Sequence, residues 1–207
     1  NFTTLLIESE KMLKLVAVFY PQNVDMANLN AERLHLQMIS LAELDHLFAL
    51  QSNEQVARYN TIGIPENKAF TETLIKNAVN DSLTFGKTSF WWAIILKDTQ
   101  QFIGEAGLNL SKVKYKSGEI FYSLHTDFWR KGYGTETVET ILNYAFIDLN
   151  LHRITAGVAT ENVKSIQLLE RVGMQREGKH RKILPIRGEW WDNYEYAILE
   201  EDFFKTG

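Results

Sequence analysis

The chain has 207 residues, 45% of them apolar, 23% charged and 12% aromatic, and a formal net charge of −4. That composition suits one folded domain plus an appendage and excludes a disordered chain, which combines low hydrophobicity with high net charge. The absence of cysteine excludes disulfide scaffolds, thiolate zinc sites, iron–sulfur clusters and cysteine nucleophiles, and the acidic balance argues against a nucleic-acid partner.

Residues 1–30 read as an N-terminal appendage to a domain over residues 31–207. Leu5, Met12, Leu13 and Val16 can share a helix face that Pro21 ends, and a strand over Leu13–Tyr20 is equally consistent with the pattern. Such a segment packs on its own domain or serves as a dimer arm, so monomer and homodimer both stay open. The apolar run Leu15–Tyr20 is too short to span a bilayer, and no small-residue cleavage site follows it. A cytoplasmic location with no membrane partner is the expectation.

From Arg33 to Met38 apolar residues alternate, which predicts a strand. Ser40 and Glu43 form a capping box before a helix over Leu41–Gln51. Pro65 suits the start of a second helix with Phe70, Leu74 and Ala78 on its apolar face. Strands follow over Phe90–Lys97, Phe102–Leu110 and Glu119–His125, with a turn at residues 97–100, as in an antiparallel meander. The period then changes to helical, with Val138, Ile141, Leu142, Ala145, Phe146 and Leu149 marking a helix over Thr135–Leu149. A strand over Arg153–Thr160 leads to a short helix that Asn162 caps and Gly173 ends. Met174–Leu184 and Trp190–Leu199 read as a closing strand pair. The order β-α-α-β-β-β-α-β-α-β-β is a mixed α/β (α+β) plan.

The stretch Trp129-Arg130-Lys131-Gly132-Tyr133-Gly134-Thr135 joins a strand to the amphipathic helix. Glycine lets the backbone turn sharply and approach a ligand. The N–H groups of the first helical turn have no intrahelical partner and can hold an anion, and Arg130 and Lys131 add positive charge. A phosphate or pyrophosphate cradle and an ordinary tight turn both fit this stretch.

Other motifs fail on spacing. The dinucleotide fingerprint needs a third glycine where Thr137 stands, and a P-loop ending at Gly86-Lys87-Thr88 needs glycine where Asp81 stands. The five histidines show no metal-ligand spacing, and no Gly-x-Ser-x-Gly elbow occurs. No metal is expected.

The ordered set Arg33-Leu-His-Leu, Ile103-Gly104, Glu119-Ile-Phe-Tyr-Ser-Leu, Trp129-Arg-Lys-Gly-Tyr-Gly-Thr-Glu136, Tyr144-Ala-Phe, Leu151-His-Arg-Ile, Asn162-x-x-Ser165, Leu169-Glu-Arg-Val-Gly173, Glu177-Gly178 and Asp192 resembles the GNAT N-acetyltransferases, in their RimJ/RimL-type branch. The resemblance covers about residues 31–203. It implies a GNAT-like, mostly antiparallel twisted sheet flanked by helices, whose two central strands splay at a bulge to admit acetyl-CoA. It implies pantetheine on the backbone of Tyr122, Ser123 and Leu124, pyrophosphate on Trp129–Thr135, and Asn162 and Ser165 at the pantetheine end. The implied activity is transfer of an acetyl group from acetyl-CoA to a primary amine, on a protein N-terminus (as in ribosomal-protein acetylation) or a small molecule.

Such a transfer needs a neutral amine, a stabilised oxyanion and a proton for the departing thiolate. Many relatives place an acid tyrosine seven residues after the asparagine. Here that position is Leu169, and Ser165 is the remaining hydroxyl. Leu169 also motivates the alternative of a CoA-binding module without efficient catalysis. Glu119 and Glu105 are the candidate bases, with His125 a third that also suits the cofactor loop. The chain departs from the family pattern at Trp129, where Gln or Arg is frequent, at Arg130 and Phe121, where this branch carries Gly, and at Met174. Phe121 would narrow the acceptor side. Residues 171–187 carry six Arg/Lys against the single acid Glu177, either a solvated hairpin face or a contact for the CoA 3′-phosphate or an acidic acceptor.

Overall fold

The computed structural model describes residues 27–83 and 89–205. The expectations for residues 1–26 and for Gly86-Lys87-Thr88 lie outside them. Among the described residues eight strands form one sheet: β1 (Leu29–Asn30), β2 (Leu34–Met38), β3 (Ser89–Leu96), β4 (Phe102–Leu110), β5 (Ser117–Leu124), β6 (Arg153–Ala159), β7 (Gln175–Ile186) and β8 (Glu189–Leu199). They run in the order β1-β2-β3-β4-β5-β6-β8-β7. The helices are α1 (Leu44–Gln51), α2 (Lys68–Leu83), α3 (Tyr133–Asn143), α4 (Val163–Arg171) and α5 (Glu200–Lys205). This is the expected mixed architecture with a mostly antiparallel sheet.

Alternation along β3 divides the core. Phe90, Trp92 and Ile94 face α3 and α4 and join the larger apolar cluster with Leu36, Leu108, Ile120, Val138 and Ile141. Ala93 faces the other way, into a smaller cluster with Ile39, Leu47, Leu50 and Ile75 beneath α1 and α2. Trp92 stacks on Phe90 and its indole N–H donates to the Ala27 carbonyl at 2.6 Å. Residues 27–30, read from the sequence as part of the appendage, thus pack on the domain: β1 pairs with β2, and Ala27 and Leu29 are buried.

The Ser40–Glu43 capping box forms, over a 3₁₀ turn that leads into α1. The α2 helix departs from expectation. It begins at Lys68, where the Asn67 side chain accepts from the Phe70 N–H at 3.1 Å, and it buries Thr71 and Ile75 while Phe70 is exposed. The buried face lies one residue on from the Phe70 and Leu74 series. The regular turns of α3 stop at Asn143, and the segment Tyr144–Asp148 completes the helix as a π turn. Among the described residues no helix is long and apolar enough to cross a membrane.

One junction is parallel. β5 and β6 pair only over Ser117–Glu119 against Arg153–Thr155. Beyond that point β5 follows β4 without a register shift up to the Gly104–Leu124 pair, and β6 follows β8 along its full length. Each strand keeps its outer partner, and the twist of the two half-sheets carries them apart. The expected splay is therefore present, with no bulge in the β4–β5 pairing.

Candidate functional site

The gap exposes one edge of β5. The His125 N–H donates to the Ile103 carbonyl at 2.8 Å. Alternation along the antiparallel ladder then turns the backbone groups of Ser123 toward β4 and those of Tyr122 and Leu124 into the gap. The Leu124 carbonyl accepts from the Trp129 indole N–H at 2.8 Å. Trp129 thus ties the gap's end to the loop that follows.

That loop has the backbone its glycines foreshadow. Arg130 and Gly132 are left-handed, at φ 60° and 84°. Gly132 is the N-cap of α3 and no side chain caps the helix. The first backbone bond back into the turn is Glu136 N–H to Gly132 C=O, which leaves the N–H groups of Tyr133, Gly134 and Thr135 at the uncapped positive end of the helix. Gly134 serves packing instead. A Cβ there would lie 2.7 Å from a Leu168 methyl, so its absence lets α3 and α4 approach. Arg130 and Lys131 flank the loop, and Lys164 of α4 sits 4.1 Å over the Trp129 ring. The edge groups, the uncapped turn and these cations fit a pantetheine arm ending in a pyrophosphate.

Sequence reasoning missed the brace behind the cradle. Arg33, just before β2, donates through Nε to Glu136 at 2.7 Å and through Nη1 to the Lys131 carbonyl at 3.0 Å, and lies 4.5 Å over the Tyr133 ring. Its backbone N–H also donates to Glu136 at 2.6 Å. Only the pairing of distant elements shows this.

On the opposite face of the sheet lie the acids. Glu105 is buried, accepting from the Trp91 indole N–H at 2.8 Å and from Gln51. Thr71 donates to the Gln51 carbonyl oxygen at 3.2 Å, which directs the Gln51 amide nitrogen at Glu105. Burial outweighs these bonds and pushes the Glu105 carboxyl up to about 7. Glu119, the last β5 residue paired to β6, is raised by partial burial and then by the nearby Glu195 charge. Phe121 is exposed, and its ring lies over Gly107, where a Cβ would meet ring carbons at 2.2 Å. Beyond it, Tyr59 meets Trp191 edge-on with ring centroids 6.0 Å apart.

On the helix face, the Asn162 side chain accepts from the Ser165 N–H at 3.3 Å and so caps α4. The Ser165 hydroxyl is not spent on that cap and lies 2.7 Å from the Tyr122 hydroxyl. Leu169 is buried in the larger core. His125 caps the 3₁₀ turn Thr126–Phe128 and packs edge-on against Phe128. Much of the basic hairpin is engaged locally: Lys179 pairs with Asp192 at 2.8 Å, Arg176 covers the Tyr194 ring, and Arg187 donates to the Glu54 carbonyl. No group of three or more possible metal ligands occurs among the described residues.

Residues 33–175 match the family model of the acetyltransferase (GNAT) domain. The uncharacterized N-acetyltransferase YnaD of Bacillus subtilis is 33% identical over 181 residues, spanning 85% of this chain and 99% of that protein. The solved structure of a GNAT-family acetyltransferase from Bacillus anthracis is 29% identical and superposes with a TM-score of 0.73 over 84% of this chain and 99% of its own. Spermidine N-acetyltransferase from Vibrio cholerae, solved with CoA and spermine, shares the fold at 23% identity, with a TM-score of 0.75 over 83% of this chain and 98% of its own.

Proposed function

The chain belongs to the GNAT N-acetyltransferases, and from that premise we propose that its primary-amine acceptor enters on the face that carries Glu105, Glu119 and Phe121. It uses acetyl-CoA as cosubstrate. The observation that carries the acceptor's side is the parting of β5 and β6 just past Glu119: the cradle lies toward α3 and α4, and the carboxylates lie on the other face. Tyr122, Leu124 and the Trp129–Thr135 loop hold the CoA arm, with Asn162 and Ser165 at its reactive end.

The carboxylates suit an amine. Glu119 and Glu195 repel each other, and a cation arriving between them relieves that repulsion. An ammonium must lose a proton before it attacks the thioester carbon. Glu105, raised to about 7, is poised to take it near neutral pH, directly or through water. The RimJ/RimL-type motifs favour a protein N-terminal amine, and a small amine is the competing acceptor.

A thiol-release assay with acetyl-CoA against ribosomal-protein N-terminal peptides, polyamines and amino sugars tests this. Turnover with one class assigns the acceptor. CoA binding with no turnover in any well assigns the second reading, a CoA-binding module, which the leucine at position 169 favours. Absence of CoA binding by calorimetry overturns both.

A further inference from the structure

The departing CoA sulfur needs a proton, and on the helix side of the gap Tyr122 and Ser165 bring two hydroxyls together. Tyr122 lies three residues beyond the last β5–β6 pair, so its side chain stands where the strands have parted. Ile120 and Leu124, its same-face neighbours, are buried in the larger core, which puts the phenol on the α3–α4 side. Its hydroxyl reaches across the gap to the Ser165 hydroxyl in the first turn of α4, at 2.7 Å. Ser165 and Leu169 are four residues apart and share a helix face. The strand thus delivers a hydroxyl to a helix face whose next turn carries a buried leucine.

We propose that Tyr122 is the acid of the transfer, hydrogen-bonded to Ser165, which returns the proton from solvent. The amine nitrogen bonds to the thioester carbon and the resulting oxyanion collapses. The carbon–sulfur bond breaks and its electron pair stays on sulfur. Sulfur takes the Tyr122 proton, Tyr122 takes the Ser165 proton, and half-exposed Ser165 takes one from water. The proton lost by the nitrogen leaves on the opposite face, so the sum is amine plus thioester to amide plus thiol. Burial raises the Tyr122 phenol to about 12, which keeps it protonated through neutral pH. The same burial makes a thiolate more basic, which narrows the gap between donor and acceptor.

Because it presumes acetyl transfer, the test separates binding from proton donation. Calorimetry first establishes CoA binding to the wild type; failure there overturns the acetyl-transfer reading, and this proposal with it. The thiol of bound CoA is then titrated by its thiolate ultraviolet absorbance in wild type, Tyr122→Phe and Ser165→Ala. Loss of the phenol donor raises that thiol pKa by about one unit or more and lowers kcat about tenfold or more (about 1.4 kcal/mol), while KM for acetyl-CoA changes less than about threefold. Ser165→Ala moves both in the same direction, and the double variant is no worse than Tyr122→Phe. A Tyr122→Phe protein with unchanged thiol pKa and kcat overturns the proposal. So does a silent Tyr122→Phe beside an inactive Ser165→Ala, which hands the role to the serine alone. If Tyr122→Phe fails to fold, fluorotyrosine at position 122 keeps the shape and lowers the phenol pKa. The alkaline limb of kcat then moves down in pH, and a fixed limb overturns the assignment.

Discussion

Glu105 carries a test in both activity and stability. Its native carboxyl is raised to about 7 from an ordinary 4.5, so the folded protein binds this proton more tightly than the unfolded chain does. Between those values the native state holds more protons, and stability falls as pH rises through the window and levels off above it. Glu105→Gln removes the titration while its amide oxygen still accepts from Trp91. The variant's melting temperature gains on the wild type from pH 5 to pH 8, by the equivalent of about 3 kcal/mol at most. Activity moves the other way: kcat/KM of the wild type rises with an apparent pKa near 7 as Glu105 ionises, and Glu105→Gln flattens that limb. A limb that survives the substitution removes Glu105 from the role of base. The sequence could nominate Glu105 only as a mid-strand acid. Its burial comes from Gln51 and Thr71 on two helices that lie far earlier in the chain, and no local pattern encodes that.

At the scale of elements, the two loop glycines separate cofactor affinity from packing. Gly132→Ala forces a left-handed residue to carry a Cβ 3.1 Å from the Arg33 guanidinium, at a conformational cost of about 1 kcal/mol. The loop shifts, and CoA affinity measured by calorimetry falls several-fold. Gly134→Ala instead presses on a Leu168 methyl at 2.7 Å, so the melting temperature drops, by the equivalent of about 1 kcal/mol or more, and the Gly132 turn is left intact. Equal affinity losses in the two variants contradict this division. The uncapped turn at the start of α3 is legible because the glycines that shape it lie within seven consecutive residues. The α2 face differs by one position because a polar residue, Thr71, holds the buried place, and an apolar pattern does not mark it. The Arg33 brace joins elements about one hundred residues apart, and strand alternation says nothing about such a contact. Trp190 and Trp191 show the same limit. Strand alternation puts one of two adjacent residues toward a core, yet Trp190 is exposed and Trp191 only half-buried, because β8 before Asn193 pairs with β7 and not with β6.

The whole molecule is a sheet of two parts. β1 to β5 make one part and β6 to β8 the other, and the part of the larger core built on Ile154, Ala156, Val158 and Tyr196 joins them from one side. A cosubstrate lying in the gap touches both parts in the folded state only. CoA at about one hundred times its dissociation constant therefore stabilises the fold by about 2.7 kcal/mol, a rise in melting temperature of roughly 5–10 °C for a chain of this size. A melting temperature that does not rise with added CoA shows that the folded chain does not bind it.

The ladder that ties those parts has three residue pairs, Ser117–Arg153, Gly118–Ile154 and Glu119–Thr155. Only the two-pair ladder of the edge strand β1 is shorter, and local opening follows lines of few backbone bonds, so β6, β7 and β8 with α4 exchange their amide hydrogens as one cooperative unit, ahead of β2 to β5. Bound CoA slows that unit as a whole and protects the Tyr122 and Leu124 amides at the β5 edge. With the cosubstrate in the gap, as proposed, the enzyme is most rigid while loaded and loosest between turnovers, and the short β5–β6 seam also sets where the fold first comes apart.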